Sequence, residues 1–502
     1  MTHDDEVTGE GRIDRATLLR RGAALAAGAG ALAAVPGLRA APRRSSVLSS
    51  LAATTSGPLL RPGSAAYTRA RRVANARYDG ARPLAVLKAR NVSDVRAAVR
   101  WSARTGVKLV ARSGGHSYAG YSTVNNGLVL DLSTMNGIAI SADRRSVQVG
   151  GGARLYDIYS ALAARGLTIP AGSCPTVGIG GHAQGGGIGL AGRAFGATCD
   201  NITALTIVTA DGRALTCNAR ENPDLFWACR GGGGGNFGVV TGFTFTTHRV
   251  SSASWFFGTF PWDRAGEVVS AWQNWAPQAP DALFSICALE TGASSPVCTV
   301  FGQWMGSEAG LRSTLRGLTQ HVEPSGMDVG TSSYMDLILR WAGCLNESPA
   351  ACRTPPSDTF AAASTYVLKP LAPAGIRALT SAVDARQASG QGTGALLLDS
   401  YGGALNRVAP GATAFVHRDA IFSIQFAAYW TGPSATAGVQ WVRSTRNGVL
   451  PYASRFAYQN YIDPGLANFQ SAWYGANLPR LRQIKGRRDP DRLFRFPQGI
   501  TA

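Results

Sequence analysis

The chain has little of what proteins use to bind metal ions or polyanions. Six of its 502 residues are histidine, and no two of them stand at a metal-ligand spacing. Lysine is also scarce, because four of the 49 basic residues are lysine and all the others are arginine. The arginines are scattered and form no stripe, so the formal net charge of +19 does not by itself indicate nucleic acid. These shortages argue against a metal site and against a nucleic-acid partner.

Charged residues are few as well, at 16% of the chain against 45% hydrophobic residues. A chain that is disordered along most of its length would show the opposite balance. The length allows two or three domains whose cores need no covalent staples. The composition therefore predicts a globular protein, and no internal repeat is present.

Residues 1–41 have the pattern of an export signal. Arg15, Arg20 and Arg21 precede the apolar run GAALAAGAGALAAVPGL, and the small residues at 40–41 fit a cleavage site. A membrane anchor is the competing interpretation, but a run so rich in alanine and glycine makes a weak span. The paired arginines favour a twin-arginine signal, although the usual polar residue and aromatic around the pair are missing. We expect a secreted protein without integral membrane association once the signal is removed.

The rest of the chain divides into segments that differ in composition and hydrophobic periodicity. The pattern predicts a linker or mature-end tail at 42–66, an α+β domain at 67–248, an antiparallel sheet backed by helices at 249–447, and a loop-rich segment with a terminal helix at 448–502. We expect the last segment to fold back on the first domain. The fold class is therefore α+β, with a second domain of different build inserted into the first.

Eight cysteines suit an exported protein without proving disulfides. Three pairs are close enough in sequence to bridge: Cys344 with Cys352, Cys217 with Cys229, and Cys287 with Cys298. This pairing, which is a hypothesis, leaves Cys174 and Cys199 as thiols.

Glycine is abundant, and three clusters of it fall in the first domain: RSGGHSYAG, GIGGHAQGGGIGLAG and RGGGGGNFGVVTG. A residue without Cβ tolerates positive φ and lets a phosphate approach the backbone amides. One cluster alone would indicate an ordinary turn, but three in one domain favour a dinucleotide diphosphate. A Rossmann site is not indicated, because no hydrophobic strand leads into GGGIGLAG and its helix and acidic partner are not evident.

Two reactive side chains border these clusters. His116 stands in RSGGHSY, and Cys174 precedes a glycine loop whose amides could stabilise a thiolate. A satisfied loop histidine and a buried free thiol are the ordinary interpretations of such residues. Because both border the loops that would hold one diphosphate, a shared role is the sharper hypothesis.

Five segments together resemble the berberine bridge enzyme-like branch of the vanillyl-alcohol oxidase flavoprotein family: RSGGHSY, GSCPTVGIGGHAQGGGIG, GNFGVVTGF, YQNYID and NLPRLRQIKGRRDPDRLFRFPQGI. Their order makes the resemblance specific. It runs from about Tyr67 to the C-terminus, and the middle domain is supported by architecture alone. The resemblance implies a PCMH-type FAD-binding domain formed by both ends of the chain, with a substrate domain inserted between them.

The resemblance also implies how the cofactor is held. In relatives with this pattern, the motif histidine bonds the 8α-methyl group of FAD and the motif cysteine bonds position 6, which assigns His116 and Cys174 to a bicovalent FAD. In the family these links retain the flavin and raise its reduction potential. The other cofactor-binding residues expected from the motifs are Arg112, Ser113, Gly114, Gly115, Ser117, Tyr118, Gly172, Val177, Gly178, Gly181, His182, Gly185, Gly186, Gly187, Gly189, Asn236, Gly238, Val239, Tyr458 and Asn460.

Catalytic roles come from the same resemblance. Tyr461 matches the family's base, and since a free tyrosine has a pKa of about 10, the site must stabilise the phenolate or remove the proton in concert with hydride loss. Asp399 lies where relatives place a carboxylate or tyrosine against that base, although an ordinary strand-end carboxylate is an equal alternative. Val177 matches a valine found in relatives that react with dioxygen, which favours an oxidase.

The resemblance thus predicts an FAD-dependent oxidase that acts on a hydroxyl of a small-molecule substrate and reduces dioxygen to hydrogen peroxide, as a monomer or weak dimer. The substrate would be a sugar, an oligosaccharide or a glycosylated or polyketide natural product. A tailoring enzyme for oxidative cyclisation or desaturation, and a non-catalytic flavoprotein that binds a natural product, remain alternatives. Aromatic residues that could stack on a substrate, or simply form core, are Trp255, Phe257, Phe422, Phe426 and Trp430.

Overall fold

A computed structural model of the chain describes residues 43–355, 357–432 and 435–502. The expected export signal at 1–41 lies outside the described residues. No helix of the described part is long and apolar enough to cross a membrane.

The secondary structure alternates between short strands and helices in the first domain and consists of longer elements in the second. The α-helices are α1 (Arg43–Ala52), α2 (Ala65–Ala70), α3 (Val92–Thr105), α4 (Leu155–Ala163), α5 (Ile179–Gln184), α6 (Gly192–Phe195), α7 (Pro223–Ala228), α8 (Ala265–Trp275), α9 (Glu308–Thr319), α10 (Tyr334–Trp341), α11 (Pro349–Cys352), α12 (Pro373–Ser389), α13 (Ala404–Arg407), α14 (Ala435–Val449), α15 (Phe469–Tyr474) and α16 (Leu478–Arg488). The β-strands are β1 (Leu59–Leu60), β2 (Ala85–Lys88), β3 (Leu109–Arg112), β4 (Leu128–Asp131), β5 (Ile138–Ile140), β6 (Ser146–Gly150), β7 (Leu167–Thr168), β8 (Ile202–Val208), β9 (Ala214–Asn218), β10 (Val239–Thr246), β11 (His248–Arg249), β12 (Ser252–Phe260), β13 (Leu283–Glu290), β14 (Val297–Trp304), β15 (Gly326–Ser333), β16 (Thr359–Val367), β17 (Thr393–Ser400) and β18 (Phe422–Trp430).

The first domain starts with a βαβ unit. β2 and β3 both pair in parallel with β4, and α3 makes the crossover between them. The side chain of Asn91 caps the start of α3 by accepting a hydrogen bond from the amide of Asp94, and Gly106 ends the helix in the left-handed conformation at φ 69°. β3 then leads directly into the first glycine cluster.

An antiparallel sheet in the order β5-β6-β10-β8-β9 continues the first domain. Phe243 and Phe245 of β10 are buried, and they share one core with Leu155 and Ile158 of α4. β10 follows the third glycine cluster, and α4 precedes the second. This core therefore anchors one end of each of these two clusters.

Residues 43–66 are not the linker that the sequence predicts. Leu48 and Leu51 of α1 are buried against α3, and the indole Nε1 of Trp101 donates a hydrogen bond to the carbonyl oxygen of Val47 at 2.9 Å. β1 then pairs with β2. A short helix owes most of its stability to docking, and two leucines three residues apart provide the docking face here.

The second domain is built on an antiparallel sheet in the order β15-β12-β14-β13-β17-β18-β16. Leu396 and Leu398 of β17 point into a core that α8, α9, α12 and α14 complete on one face. Leu397 points the other way and belongs to the core shared with the first domain. Because successive side chains of a strand alternate between faces, this second face is the one turned towards the glycine clusters.

The C-terminal segment returns to the first domain. The ammonium group of Lys485 on α16 donates hydrogen bonds to the carbonyl oxygens of Asn236 (2.6 Å) and Phe494 (2.7 Å) and pairs with Asp489. The amide of Ile500 donates to the side-chain oxygen of Asn236 at 2.9 Å. The α+β fold expected from the sequence, with both ends of the chain in one domain and a sheet domain between them, is therefore confirmed.

Two buried arginines join the domains. Arg418 of the second domain makes a bidentate ion pair with Asp200 of the first, at 2.6 and 2.8 Å. In the opposite direction, Arg193 of α6 donates to the carbonyl oxygens of Tyr401 and Ala279. Both guanidinium groups are almost completely buried, so each depends on its partners across the interface.

The cysteine predictions are confirmed in part. Cys344–Cys352 is a disulfide, whereas the other two predicted pairs are wrong. Cys287 lies opposite Val300, and Cys298 lies opposite Leu289, so these two thiols face each other only diagonally across the β13/β14 ladder. The described cysteines that form no disulfide are Cys174, Cys199, Cys217, Cys229, Cys287 and Cys298.

Candidate active site

One cavity of about 280 Å³ lies between the glycine clusters and the inner face of the second domain's sheet. Its walls come from segments far apart in sequence: the loop after β3, the turn before α5, the loop before β10, the end of β17 and the C-terminal segment. The predicted site residues that line it are Ser113, Gly114, Gly115, His116, Ser117, Tyr118, Gly172, Cys174, Val177, Gly178, Gly181, His182, Gly189, Asn236, Gly238, Val239, Asp399, Tyr458, Asn460 and Tyr461.

The first two glycine clusters touch through their backbones. A Cβ on Gly114 would lie 2.2 Å from the amide nitrogen of Gly178 and 2.7 Å from the carbonyl oxygen of Thr176. Gly115 adopts φ 76°, a conformation that L side chains rarely take. The close approach of the two loops, which places His116 and Cys174 on the same cavity, therefore requires glycine.

His116 reaches the cavity but is otherwise surrounded by protein. Its Nε2 lies 2.8 Å from the hydroxyl oxygen of Thr176. Burial, with a smaller contribution from the charge of Arg154, lowers the pKa of His116 to about 4. The imidazole is therefore neutral at neutral pH and keeps a lone pair on one nitrogen.

Cys174 begins a turn that the first domain holds by its backbone. The amide of Tyr156 donates to the carbonyl oxygen of Pro175 at 2.9 Å, and the amide of Leu155 donates to that of Val177 at 3.0 Å. Both donors lie at the start of α4. Cys174 and Val177 thus reach the cavity from a turn of fixed shape.

Tyr461 is stacked on a second tyrosine. Its ring lies parallel to the ring of Tyr118, with centroids 5.6 Å apart and an interplanar angle of 8°. The hydroxyl of Tyr118 accepts a hydrogen bond from Nε2 of Gln425 at 3.1 Å. Gln425 is buried on β18, so the second domain fixes the ring against which Tyr461 rests.

Tyr458 is anchored through its hydroxyl group. The oxygen accepts hydrogen bonds from the amides of Gly187 (2.9 Å) and Ile188 (3.2 Å). The side-chain amide of Asn460 lies 2.9 Å from the same oxygen. Burial raises the pKa of Tyr458 far above its ordinary value, so this phenol serves as a wall of the cavity beside Tyr461, whose ring centre lies 5.0 Å away.

Asp399 reaches the cavity because of strand alternation. It shares the inner face of β17 with Leu397, opposite the face that carries Leu398. It is paired in register with Ile286 and Ser423 of the neighbouring strands. Although almost completely buried, its carboxyl group therefore belongs to the cavity wall that the second domain provides.

The residues of the cavity fit a flavin dinucleotide. A Cβ on Gly181 would meet no protein atom within 4 Å, and one on Gly234 would come no closer than 3.6 Å to its neighbours. Both glycines line the cavity, so their bare backbone leaves room that any side chain would take up. Such a surface suits a bulky anion that binds backbone amides.

His182 holds the second glycine cluster and the loop before it through contacts of its ring nitrogen. Its Nε2 accepts a hydrogen bond from the amide of Gly172 at 3.0 Å and lies 3.2 Å from the hydroxyl of Thr198. Burial lowers the pKa of His182 to about 4. The ring therefore stays neutral and fixes the loop that leads to Cys174.

Four predicted cofactor residues do not line the cavity. Arg112 is buried in an ion pair with Asp131 at 2.7 Å and holds the strand that precedes the first cluster. Gly185, Gly186 and Gly187 pack against other parts of the chain, where a Cβ would overlap Asn460, Phe415 and Thr198, respectively. These positions shape the site through packing.

The aromatic residues that the sequence offered for substrate stacking lie elsewhere. Phe422, Phe426 and Trp430 point into the helix-covered core of the second domain. Trp255 and Phe257 pack at the edge of the core between the domains, outside the cavity lining. The aromatic side chains that do line the cavity are Tyr118, Tyr121, Phe284, Tyr458, Tyr461, Trp473, Tyr474, Phe494 and Phe496.

Two functional contacts were not foreseen from the sequence. Thr176 lies within the quoted CPTVG motif, yet its contact with His116 joins residues 60 positions apart. Gln425 is separated from Tyr118 by 307 positions. The alternation of FSIQFAAYW could have placed Gln425 opposite the aromatic core residues, but it does not say which face meets the cavity.

Comparison with known proteins gives consistent matches. Residues 83–218 match the family described as FAD binding domain, and residues 457–501 match the family described as berberine and berberine like. An uncharacterised FAD-linked oxidoreductase of Bacillus subtilis (strain 168) is 34% identical over 83% of this chain and 91% of its own length. The chitooligosaccharide oxidase of Gibberella zeae is 31% identical over 83% and 87%, respectively. The solved structure of Physcomitrella patens BBE-like 1 has a TM-score of 0.84 at 33% identity and covers 90% of this chain and 98% of that one.

Proposed function

Because the chain belongs to the berberine bridge enzyme-like family of FAD-dependent oxidoreductases, we propose that it is a secreted oxidase with bicovalent FAD. It would oxidise a hydroxyl group of a sugar, an oligosaccharide or a glycosylated or polyketide natural product and reduce dioxygen to hydrogen peroxide. The observation that carries the proposal is the convergence of His116, Cys174, Asp399 and Tyr461 on one cavity. The similarity to a chitooligosaccharide oxidase favours sugar hydroxyls within this range.

In this proposal, the first domain holds the cofactor. His116 and Cys174 would bond the flavin from two loops whose separation is set by the contact of Gly114 with Gly178. When bound, FAD supplies a hydride acceptor that dioxygen can reoxidise. The neutral imidazole of His116 and the open backbone at Gly181 suit attachment and close approach, respectively.

The C-terminal segment and the second domain act on the substrate. Tyr461 would take the proton of the substrate hydroxyl as the C–H hydride leaves, aided by the carboxyl group of Asp399, which lines the same cavity. Tyr118, fixed by Gln425, keeps the ring of Tyr461 from rotating away. The fixed position of the Tyr461 ring matters because proton and hydride transfers both need near-contact distances. The product is a carbonyl compound, or a lactone if the alcohol is a sugar hemiacetal.

Reaction with dioxygen would take place beside Val177. This side chain is partly buried, packs against the core of the first domain and lines the cavity next to Cys174. Its short branched side chain leaves more space at that point than leucine would. Val177→Leu is expected to slow flavin reoxidation by dioxygen while leaving flavin reduction by substrate unchanged.

The decisive experiment is a substrate screen by anaerobic flavin reduction on the purified protein without residues 1–41. Chito-, xylo- and cello-oligosaccharides and glycosylated polyketides are mixed with the protein, and the flavin absorption is followed before and after air is admitted. An oxidase substrate bleaches the flavin, and air restores the colour with one hydrogen peroxide per product. A compound that bleaches the flavin but yields a new ring or alkene would favour the tailoring alternative. Tight binding without bleaching by any compound would favour a non-catalytic flavoprotein.

Export is part of the proposal and has its own test. The full chain is expressed in a host with a twin-arginine pathway, beside a variant in which Arg20 and Arg21 are both replaced by lysine. The wild type is expected in the culture medium or periplasm with residues 1–41 removed, and the variant in the cytoplasm. Equal export of both proteins would contradict the twin-arginine route.

A further inference from the structure

The contact between His116 and Thr176 has a consequence for flavin attachment. Thr176 is 2% exposed, and its hydroxyl oxygen lies 2.8 Å from Nε2 of His116. His116 lines the cavity, whereas Thr176 does not. The threonine therefore occupies the Nε2 side of the imidazole and leaves Nδ1 as the ring nitrogen available for the cofactor.

A neutral imidazole carries one N–H and one lone pair, and it can place them in two ways. If Nε2 carries the hydrogen, it donates to Thr176 and the lone pair is on Nδ1. If Nδ1 carries the hydrogen, that nitrogen cannot form a new bond to carbon without first losing its proton. The partner of one ring nitrogen thus sets the reactivity of the other.

We propose that Thr176 is the positioning residue that holds the imidazole of His116 by its Nε2, so that Nδ1 is the ring nitrogen presented to the cofactor, and so accelerates formation of the histidyl bond to FAD. The inference rests on the proposed bicovalent attachment. It assigns Thr176 no contact with the substrate or with the flavin.

The backbone around Thr176 is fixed well enough for this role. Its carbonyl oxygen faces the loop of His116 at the point where Gly114 permits close approach. The neighbouring residues Pro175 and Val177 accept hydrogen bonds from the first turn of α4. The hydroxyl group of Thr176 is consequently presented to the imidazole by two loops that cannot separate without breaking this packing.

The covalent step balances with dioxygen as the oxidant. A bond forms between Nδ1 of His116 and the methyl carbon of the flavin, one C–H bond of that methyl group breaks, and Nε2 loses its proton. The electron pair of the broken C–H bond passes through the ring system to dioxygen. With the two hydrogens removed, dioxygen leaves as hydrogen peroxide, and the alkylated imidazole ends neutral with its lone pair on Nε2.

A hydroxyl group can hydrogen-bond to Nε2 of His116 both before and after the bond to the flavin forms. Before the bond forms, it accepts the hydrogen bond from Nε2–H, and afterwards it can donate its own hydrogen to the Nε2 lone pair. Neutrality of the product matters because His116 is enclosed by protein and lies near the positive charge of Arg154. A side-chain amide at position 176 could not exchange these two roles at one atom, because its donor and its acceptor are different atoms.

The test measures attachment in a background with one covalent link. Cys174→Ala removes the cysteinyl bond, so flavin that stays with the acid-precipitated protein must be attached through His116. Thr176→Val and Thr176→Ser are then introduced into Cys174→Ala. Thr241→Val is the matched control, because Thr241 is also buried and its hydroxyl also makes a short side-chain hydrogen bond, 2.9 Å to Thr206, away from His116.

Each protein is incubated with excess FAD in air, and acid-stable flavin is followed over time together with the mass of the peptide that contains His116. Thr176→Val is expected to slow incorporation about tenfold, the size of one lost hydrogen bond. Thr176→Ser should restore most of the rate, and Thr241→Val should leave it unchanged. Near-ultraviolet circular dichroism of the four proteins checks that folding is retained.

The outcomes separate this inference from the function on which it rests. If wild-type protein carries no flavin mass on the peptides of His116 and Cys174, the proposed bicovalent attachment is wrong. If the wild type is flavinylated and Thr176→Val incorporates FAD as fast as Thr241→Val, the role of Thr176 alone is wrong. Slow incorporation in both Thr176→Val and Thr176→Ser would also overturn it, since the hydroxyl would not be the group that matters.

Discussion

The two domains build their shares of the cavity in different ways. In the first domain, the site lies in loops whose backbones touch, and a Cβ at Gly114 would collide with the facing loop. In the second domain, the site lies on a regular sheet, where Leu398 points into the helix-covered core and its neighbour Asp399 points into the cavity. Function in the first region therefore depends on backbone conformation, and function in the second depends on side-chain alternation.

This difference determines what substitutions do. A change at a glycine where the loops touch, such as Gly114, acts on the backbone and should affect folding and cofactor loading together. A change on the sheet acts on one face only, so that stability and catalysis can be altered separately.

The largest effect is expected at Tyr461, where the two regions meet. Tyr461→Phe keeps the stacking on Tyr118 but removes the proposed proton acceptor, so the rate of anaerobic flavin reduction should fall by about 10²–10⁴-fold. Flavin content should not change. The control is Tyr458→Phe, which loses an anchored hydroxyl group and is expected to lower stability by about 1–3 kcal/mol with a much smaller change in rate. Equal rates for wild type and Tyr461→Phe would remove the base from the mechanism.

The next effect contrasts two glycines of the first domain. Gly114→Ala would place a Cβ 2.2 Å from a backbone nitrogen, so we expect it to destabilise the protein by about 3 kcal/mol or more and to reduce the yield of folded protein. Gly181→Ala meets no protein atom within 4 Å, and it should retain the unfolding transition but load less FAD. Thermal unfolding and the ratio of flavin to protein absorption distinguish the two. Identical behaviour of both variants would mean that the loops tolerate side chains in the same way.

Adjacent residues of β17 provide the corresponding test in the second domain. Leu398→Ala should lower the free energy of unfolding by about 2–5 kcal/mol, because its buried side chain fills the helix-covered core. Asp399→Asn should leave stability nearly unchanged and lower kcat/KM by roughly tenfold to a hundredfold, as expected for the loss of one charged hydrogen bond. Denaturant unfolding and steady-state kinetics are measured on both. If Asp399→Asn is fully active, the carboxyl group is an ordinary part of the strand end.

The smallest effect is a pH dependence of stability that both regions share. Burial lowers the pKa of His182 in the first domain to about 4 and that of His417 in the second to about 3. Both folded-state pKa values lie below the unfolded value of about 6.5, so the unfolded chain binds the proton more readily. The contribution of each histidine to the free energy of unfolding is therefore fully present above about pH 6.5 and is lost as the pH falls towards the folded-state pKa. Each histidine should contribute a slope of about 1.4 kcal/mol per pH unit between pH 6 and 5.

Denaturant unfolding at a series of pH values checks this expectation. His182→Gln and His417→Gln should each reduce the pH dependence of the free energy of unfolding by the contribution of one proton, about 1.4 kcal/mol per pH unit. The two variants differ at lower pH, where the slope that His182 contributes ends near pH 4 and that of His417 continues to about pH 3. A slope that neither variant changes would assign the acid sensitivity to other groups.

Most of the architecture could be predicted because its signals are local. The glycine clusters, the alternating strands and the return of the C-terminal segment are all visible in the printed sequence, and the structure confirms the fold class that they indicate. Residues 43–66 pack on the first domain where the pattern predicted a linker or tail, and this difference has a physical reason. A short helix with two leucines has little signal of its own, and it becomes stable only by docking on α3.

The site could be predicted in outline but not in its contacts. Motifs placed His116, Cys174 and Tyr461 on candidate loops, and those residues line one cavity. The roles of Thr176 and Gln425 depend on which distant segments meet, which no local pattern encodes. For the same reason, alternation separated the faces of β18 but did not show that Phe426 and Trp430 point away from the cavity.

The buried arginines at the domain interface limit how ligands can enter. Arg193 and Arg418 each donate hydrogen bonds to the opposite domain while buried from solvent. Separation of the domains would leave these charges without their partners in the protein interior. Hinge opening of the two domains is therefore too costly to serve each turnover. We therefore expect substrate and product to reach and leave the cavity without a rigid-body separation of the two domains.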